Sequence, residues 1–356
     1  MIPYVELLDK YTLKRFATVE PNECWFELTY YDYGEFEIYC RASNNNLRNL
    51  KKGHYVKLPN KRFIWLITGV RYTFNAEGAR MILVTGKEAK WLLYKRVIQS
   101  PLELQGTITQ TVYKLVNNNL GTGTTIERAI TDNDGNYKFN VATNNLLIDI
   151  SGTQAPRGNL LEFVNTLLKT YNCGSQVIYE NGLLKYQILN GTVRNNVKFS
   201  QSLDNLLSSE YYTTDESKAT NALVVSTVEE IDYLQTVDAG AVGIDRSEIL
   251  INSNLSTKYT DANGTEQETT PTSSLYKGWQ TEEGRNELAK NVTIEEAKGV
   301  VDLANSSYIF DQDFYIGDIV KIQDEYFNFS INSRIIKYTI SQKGQIYNEE
   351  AEYGGL

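Results

Sequence analysis

Histidine is nearly missing from this chain and cysteine is scarce: His54 stands alone, and Cys24, Cys40 and Cys173 are the only thiols in 356 residues. That poverty excludes a zinc constellation, a Cys–His pair and a Ser–His–Asp triad. The cysteines are odd in number, far apart and set in apolar strands or at a helix end, so they read as free core thiols. His54 lies in Lys51-Lys52-Gly53-His54-Tyr55, where a solvated turn residue is expected. Long apolar runs are missing too, which excludes a transmembrane helix of about 20 residues. Met1 to Glu6 lacks the basic region and apolar stretch of a secretory signal, predicting a chain made and folded in a cytosol. Positive charge is in deficit, with 35 Lys and Arg against 44 Asp and Glu and a net charge of -9. A broad nucleic-acid-binding surface needs clustered cations, so it is disfavoured, whereas letting nucleic acid pass is not.

Other motifs of chemistry fail on inspection. Gly121-Thr122-Gly123 lacks the next Gly and the Lys-Ser/Thr of a phosphate loop. Thr131-Asp132-Asn133-Asp134-Gly135-Asn136 has Ile130 where a calcium loop needs its first ligand and no closing Glu, so a hairpin turn is the reading. The acidic doublets Glu229-Glu230, Glu282-Glu283, Glu295-Glu296 and Glu349-Glu350 would suit a glycosidase only if both carboxylates met one substrate. Adjacent residues point to opposite faces of a strand and lie about 100° apart on a helix, so a solvated face is expected. Trp25, Trp65, Trp91 and Trp279 could stack on sugars, but most sit in apolar strand or helix patterns that predict core packing. No catalytic, cofactor-binding or metal-binding residue is expected, and the chain reads as no enzyme.

What is present is β-structure. The hydrophobic fraction is 41%, and aromatics reach 12%, chiefly through 25 Tyr, a composition suited to strands and to a folded protein of more than one domain. A small unit occurs twice. Gly53-His54-Tyr55-Val56-Lys57-Leu58 is answered by Gly317-Asp318-Ile319-Val320-Lys321-Ile322. The first is followed by strands Phe63 to Thr73 and Arg80 to Thr85 around Glu77-Gly78. The second is followed by Phe327 to Ser341 and a last strand to Gly354 around Lys343-Gly344. From the first Gly to the turn Gly is 25 residues in one unit and 27 in the other, so the meanders should match in size. Between them, Thr107 can cap a helix carrying Ile108, Val112, Leu115 and Val116. A second helix carries Leu160, Val164, Leu167, Leu168 and Tyr171, and Asn181-Gly182 signals a hairpin. The fold class is therefore mainly β with an α+β middle: two similar antiparallel β-barrel domains plus smaller α/β insertions. The expected boundaries are 1–100 for the first barrel and 101–200 for the α+β domain. A second barrel domain fills 201–356, with a polar, solvent-exposed excursion at 253–274, a hairpin tip at Asp261-Ala262-Asn263-Gly264 and a helix over 281–297 capped by Thr281.

Certain of these segments resemble the baseplate hub or tail-tip proteins of long-tailed bacteriophages, whose fold is shared with the contractile-tail hub and the N-terminal part of tail-associated lysins. The N-terminal resemblance is Trp25 with Gly34-Glu35-Phe36-Glu37-Ile38, then Ile64-Trp65-Leu66-Ile67-Thr68-Gly69-Val70, Val84-Thr85-Gly86 and Leu92-Leu93-Tyr94-Lys95-Arg96-Val97-Ile98. The C-terminal one is Asp313-Phe314-Tyr315-Ile316-Gly317-Asp318-Ile319-Val320-Lys321-Ile322, Arg334-Ile335 and Tyr353-Gly354-Gly355. The resemblance implies a homotrimer whose six barrels join a sixfold tail tube to a threefold tip at the end of a virion tail. Its implied partners are a distal tail protein or tail tube ring above and a tip, fibre or receptor-binding protein below. DNA would pass transiently through the lumen without specific binding. Two other readings follow the same residues: the hub of a contractile injection system, and a glycan-binding or glycan-cleaving tail protein. Many tail-associated lysins carry a peptidase or fibre after the hub, so host binding and wall digestion are expected from attached proteins.

Overall fold

Gly53 and Gly317 both adopt φ near +90°, at 91° and 90°, a backbone conformation in which a Cβ would be strained. The computed structural model of the chain, which describes residues 2–142, 146, 148–206, 208–238, 240–261, 264–304 and 306–354, shows that the likeness of the two units extends to individual hydrogen bonds. Gly53 N–H donates to Ile67 O at 2.9 Å, and Ile67 N–H donates back to His54 O at 2.9 Å. In the last unit Gly317 N–H donates to Ile335 O at 2.7 Å, and Ile335 N–H to Asp318 O at 2.9 Å. In each unit a short strand, Tyr55–Lys57 or Ile319–Asp324, pairs antiparallel with a long one, Ile64–Phe74 or Phe329–Lys343. The long strand then pairs with a return strand, Arg80–Glu88 or Ile346–Gly354. The register slips once in each, between Ile67 and Gly69 and between Ile335 and Lys337. A bulge bends its strand and sharpens the local twist, so equal bulges curl the two meanders alike.

The two units lie in one sheet, with the hairpin of Glu23–Thr29 and Glu35–Arg41 between them. Among the described residues, eleven strands form it, and the join is Phe329–Lys343 pairing with Glu23–Thr29 from Lys337↔Thr29 to Lys343↔Glu23. The edges are Arg15–Val19, Val193–Ser200, which runs parallel to Ile319–Asp324, and Ile346–Gly354, which among the described strands pairs only with Phe329–Lys343. Alternation sets the inward face: Cys24, Phe26 and Leu28 on one strand and Phe36, Ile38 and Cys40 on the next are buried, with Trp25, Glu27, Glu37 and Tyr39 between them. These side chains share one apolar core with Trp65, Phe199, Phe310, Phe314, Tyr338 and Tyr353, so the opening and closing segments bury each other's surface. Full burial of one such side chain contributes about 1.5–3 kcal/mol.

A second core belongs to the middle of the chain. The helix Ile108–Leu120 starts at the expected cap: Thr107 Oγ1 accepts from Gln110 N–H, and the Gln110 side chain returns the bond, a capping box. The helix Leu160–Thr170 starts at Asn159, whose side chain accepts from Leu161 and Glu162 N–H. Gly174 opens the next strand, Gly174–Glu180, which turns back at Asn181 and Gly182, both at positive φ, into Leu183–Leu189. Helix residues Val112, Leu115, Val164 and Leu168 pack with Leu8, Ile64 and Leu66 from the first unit. That unit is thus sandwiched between two cores.

The region after 200 departs from expectation. The helix is Ser274–Leu288, not 281–297; its cap is Ser273, and Ile294–Val300 is a strand. Gly278 and Gly284 weaken the helical pattern by about 1 kcal/mol each, and the face turned inward includes Gln280, Glu282 and Asn286, which hid its periodicity. Packing decided the matter: a Cβ on Gly284 would lie 2.5 Å from Val237 Cγ2 and 3.1 Å from Val224 Cγ2, so glycine lets the helix seat on the sheet below. That sheet is Ile231–Asp238, Asn221–Val228 and Glu248–Ser253. The segment 253–274 is not a free excursion. Its strand Lys258–Thr260 extends the sheet of Leu102–Thr107 and Asp149–Ala155, and Ser256 exchanges hydrogen bonds of 3.2 Å with Gln154 in both directions. Ala262 and Asn263 of the expected tip, and Gly355, lie outside the described residues. Among those described, no helix is long and apolar enough to cross a membrane.

Candidate assembly joint and surfaces

Tyr30 is completely buried where the first unit, the last unit and the middle segment meet. Its hydroxyl lies 2.9 Å from Leu189 O and 3.1 Å from Asn172 O, both in the middle segment. Arg334, on the long strand of the last unit, donates from Nη1 to Gly317 O at 2.7 Å, Asn190 O at 3.1 Å and the Tyr30 oxygen at 3.2 Å. The guanidinium carbon stands 5.1 Å from the centre of the Tyr30 ring, a cation over an aromatic face. Three glycines make the approach possible. A Cβ would lie 2.4 Å from Tyr30 O at Gly174, 2.2 Å from the Tyr30 ring at Gly317, and 1.9 Å from Gly317 O at Gly191. Burial pushes the Tyr30 hydroxyl and the Cys173 thiol up, the latter to about 11, so neither ionises near neutrality.

Asp318 is the repeat counterpart of His54, and each ties down a neighbouring segment. Asp318 accepts from Thr192 N–H and Arg194 Nε, both at 2.7 Å. His54 Nδ1 accepts from Lys10 N–H at 3.2 Å, and its ring packs 4.9 Å from Phe16. The expected solvated turn is therefore a half-buried one, and desolvation lowers the His54 pKa, keeping the imidazole neutral. Lys90 makes a second tie. It is fully buried and donates from Nζ to Thr29 O at 2.8 Å and Ser175 O at 2.9 Å, while nearby Glu88 accepts from Gly34 N–H at 2.9 Å. Sequence reading passed over Glu88, although it stands in phase with the buried Ile82, Val84 and Gly86 of its strand. A charged residue at an inward position was the available signal.

The acidic doublets are separated by their own partners. Glu229 and Glu230 both have positive φ at the tip of a two-residue hairpin turn. Glu282 is buried and pairs with Arg285 at 2.8 Å, whereas Glu283 accepts from Ser253 Oγ. Glu349 accepts from the hydroxyls of Tyr338 and Tyr347. The side chains of Glu295 and Glu296 lie outside the described set. Desolvation raises the Glu283 pKa. The folded chain then binds more protons than the unfolded one between the ordinary and the raised value, so the cost of burying this carboxylate grows as pH rises through that window. Glu283→Gln should raise the melting temperature at pH 7 and make no difference in acid, below both values; equal melting temperatures at pH 7 would refute this.

Trp65 and Trp279 are buried, while Trp25 and Trp91 are partly covered. The Asp132 loop is a hairpin turn, with Asp132 accepting from Asn136 N–H at 2.9 Å and Asp134 N–H at 3.0 Å. Among the described residues no group of three or more His, Cys, Asp and Glu is placed to hold a metal ion. A cleft of about 700 Å³ is lined by Ser100, Pro101 and Arg157 on one side and by Lys258, Tyr259 and Glu266 on the other, a mixture of polar and apolar groups.

A family model described as Siphovirus ReqiPepy6 Gp37-like protein matches residues 5–352. No curated protein matches the chain. Several solved structures share its fold. A tail protein from Neisseria meningitidis superposes with a TM-score of 0.58 at 9% identity, over 98% of this chain and 95% of that one. The 43 kDa tail protein of prophage MuSo2 from Shewanella oneidensis gives 0.58 at 13% identity, over 99% and 98%. Prophage tail protein gp18 from Listeria monocytogenes gives 0.51 at 12% identity, over 99% and 94%.

Proposed function

The chain belongs to the Siphovirus ReqiPepy6 Gp37-like protein family, and from that premise we propose that it is a structural, non-enzymatic hub of a phage tail tip. Three copies close a ring, with six barrel units facing a sixfold tail tube and three equivalent faces turned to the tip. The observation that carries this reading is the duplication at the level of register, with glycines at the same φ, the same pair of hydrogen bonds and the same bulge in both units. A chain with two such units in one sheet supplies two near-equivalent surfaces, and three copies supply six. A net charge of -9 suits a lumen that lets DNA slide, because a basic wall would hold a polymer carrying one negative charge per about 1.7 Å. The joint at Tyr30 and Arg334 fixes the angle between the units, which a closed ring requires. The reading is tested by light scattering of the purified chain and by images of the particle along its axis. Three times the chain mass of 40.5 kDa with a central channel is expected; a monomer at every concentration would overturn the trimer.

A further inference from the structure

The charges of this chain are split by region. Residues 1–100 carry 16 Lys and Arg against 10 Asp and Glu, whereas residues 201–300 carry 7 against 18. Each region also exposes an apolar surface of matching character. In the acidic region, the face of the three-stranded sheet turned away from helix Ser274–Leu288 bears Leu223, Val225, Leu234 and Leu250. Leu223 pairs with Leu250, and Val225 with Leu234, so the four are contiguous across three strands. Leu234 and Leu250 are 60% and 63% exposed. Around them stand exposed Glu229, Glu230, Asp232, Asp238, Asp245 and Glu248 with one cation, Arg246, already bonded to Asp238 at 3.0 Å and Glu248 at 2.6 Å. In the basic region, the hairpin Ile64–Phe74 and Arg80–Glu88 ends in a tip where Tyr72 is 57% and Phe74 68% exposed. These two rings share one face of the strand. Arg80 is the cross-strand partner of Phe74 and shares that face, while Arg71 and Arg41, the latter opposite Met81 on the adjoining strand, lie on the other face of the same hairpin.

We propose that these surfaces are the two halves of one contact between copies: the Tyr72, Phe74 and Arg80 face of the hairpin tip of one copy seats on the Leu223, Val225, Leu234 and Leu250 face of the next. The inference rests on the ring reading and names the surfaces that would close it. Apolar side chains meet apolar side chains at the centre, and the Arg80 guanidinium meets the rim of carboxylates at the edge, the anatomy of a specific interface. The two surfaces differ, so the contact is head to tail, the geometry that generates a ring when its rotation closes.

Two surface variants test it, Tyr72→Ser/Phe74→Ser at the tip and Leu234→Ser/Leu250→Ser on the face, with circular dichroism melts to show that both fold like the parent. Sedimentation of the full-length chain is expected to show a ring for the parent and a dissociation constant raised about tenfold or more for each variant, since exposed aromatics and leucines supply the central anchors. Mixed together, the two variants retain one intact tip and one intact face, so they should form a dimer and stop there. Going from about 0.1 M to about 1 M salt shortens the screening length from about 10 to about 3 Å and should weaken the parent ring. A parent ring whose mass survives in both variants, or is lost in one alone, overturns this contact and leaves the hub reading standing. A mixture that rebuilds the full ring overturns the head-to-tail arrangement. A parent that is monomeric throughout overturns both this contact and the trimer.

Discussion

Replacing Arg334 with alanine should cost about 3 kcal/mol or more, measured by urea unfolding. The substitution leaves Gly317 O, Asn190 O and the Tyr30 hydroxyl without their common donor, and the bonds to Gly317 O and Tyr30 are buried. A buried acceptor left dry costs about 1–3 kcal/mol, and the guanidinium's own desolvation, recovered on truncation, offsets part of the sum. The shape of the transition matters as much as its midpoint. The core shared by the first and last units and the core of the middle segment meet at this residue's partners. With Arg334 gone, the single transition should broaden or split as the cores uncouple. Arg334→Lys keeps the charge but loses the planar guanidinium that lies over the Tyr30 ring and presents Nη1 to its acceptors, so it should recover less than half of the loss. A sharp transition at the parent's midpoint in Arg334→Ala would show that the joint does not hold the units.

Lys90→Met is the second large effect, and it works through a charge left behind. Lys90 and Glu88 are both fully buried and near each other, and desolvation lowers the pKa of the first and raises that of the second. Methionine fills most of the volume but leaves Thr29 O and Ser175 O unpaired and removes the cation that offsets Glu88. Removing one member of a buried charged pair typically costs about 3–5 kcal/mol, much of it the penalty of the charge that remains. The double variant Lys90→Met/Glu88→Gln should therefore be more stable than Lys90→Met alone, and a double-mutant cycle gives the coupling. Lys90 also contributes a pH dependence. Its folded pKa lies below the ordinary one, so the unfolded chain binds more protons through the alkaline window between them, and this residue's contribution to stability rises with pH there. Lys90→Met should lose that rise. Additive single effects, with no recovery in the double variant, would refute the coupling.

These two residues show where sequence reading stopped. Alternation in Cys24–Leu28 and Phe36–Cys40, the Thr107 cap and the Asn181-Gly182 turn were all legible because each is settled by a handful of adjacent residues. The helix Ser274–Leu288 was not, because its glycines are tolerated only through packing on Val224 and Val237 from a strand some fifty residues away. The joint was less legible still. Arg334 and Tyr30 lie 304 positions apart, and nothing local distinguishes Arg334 from any arginine on a strand. The polar segment 253–274 read as a free excursion because its partner, Gln154, lies about a hundred positions upstream.

By itself the sequence determined that this is a mainly β protein built on a unit used twice, since period-2 alternation, turn glycines and spacing act over a few residues and survive in any context. From one histidine and three scattered cysteines it also gave the expectation of no zinc constellation, Cys–His pair or Ser–His–Asp triad. Only the tertiary structure decided that the two units share one sheet through the hairpin of Glu23–Thr29 and Glu35–Arg41, with the middle segment clamped against them. The reason is physical: pairing between residues 23–29 and 337–343, and the burial of Tyr30, Lys90 and Arg334, are set by long-range complementarity of shape and hydrogen bonding, which no local pattern encodes.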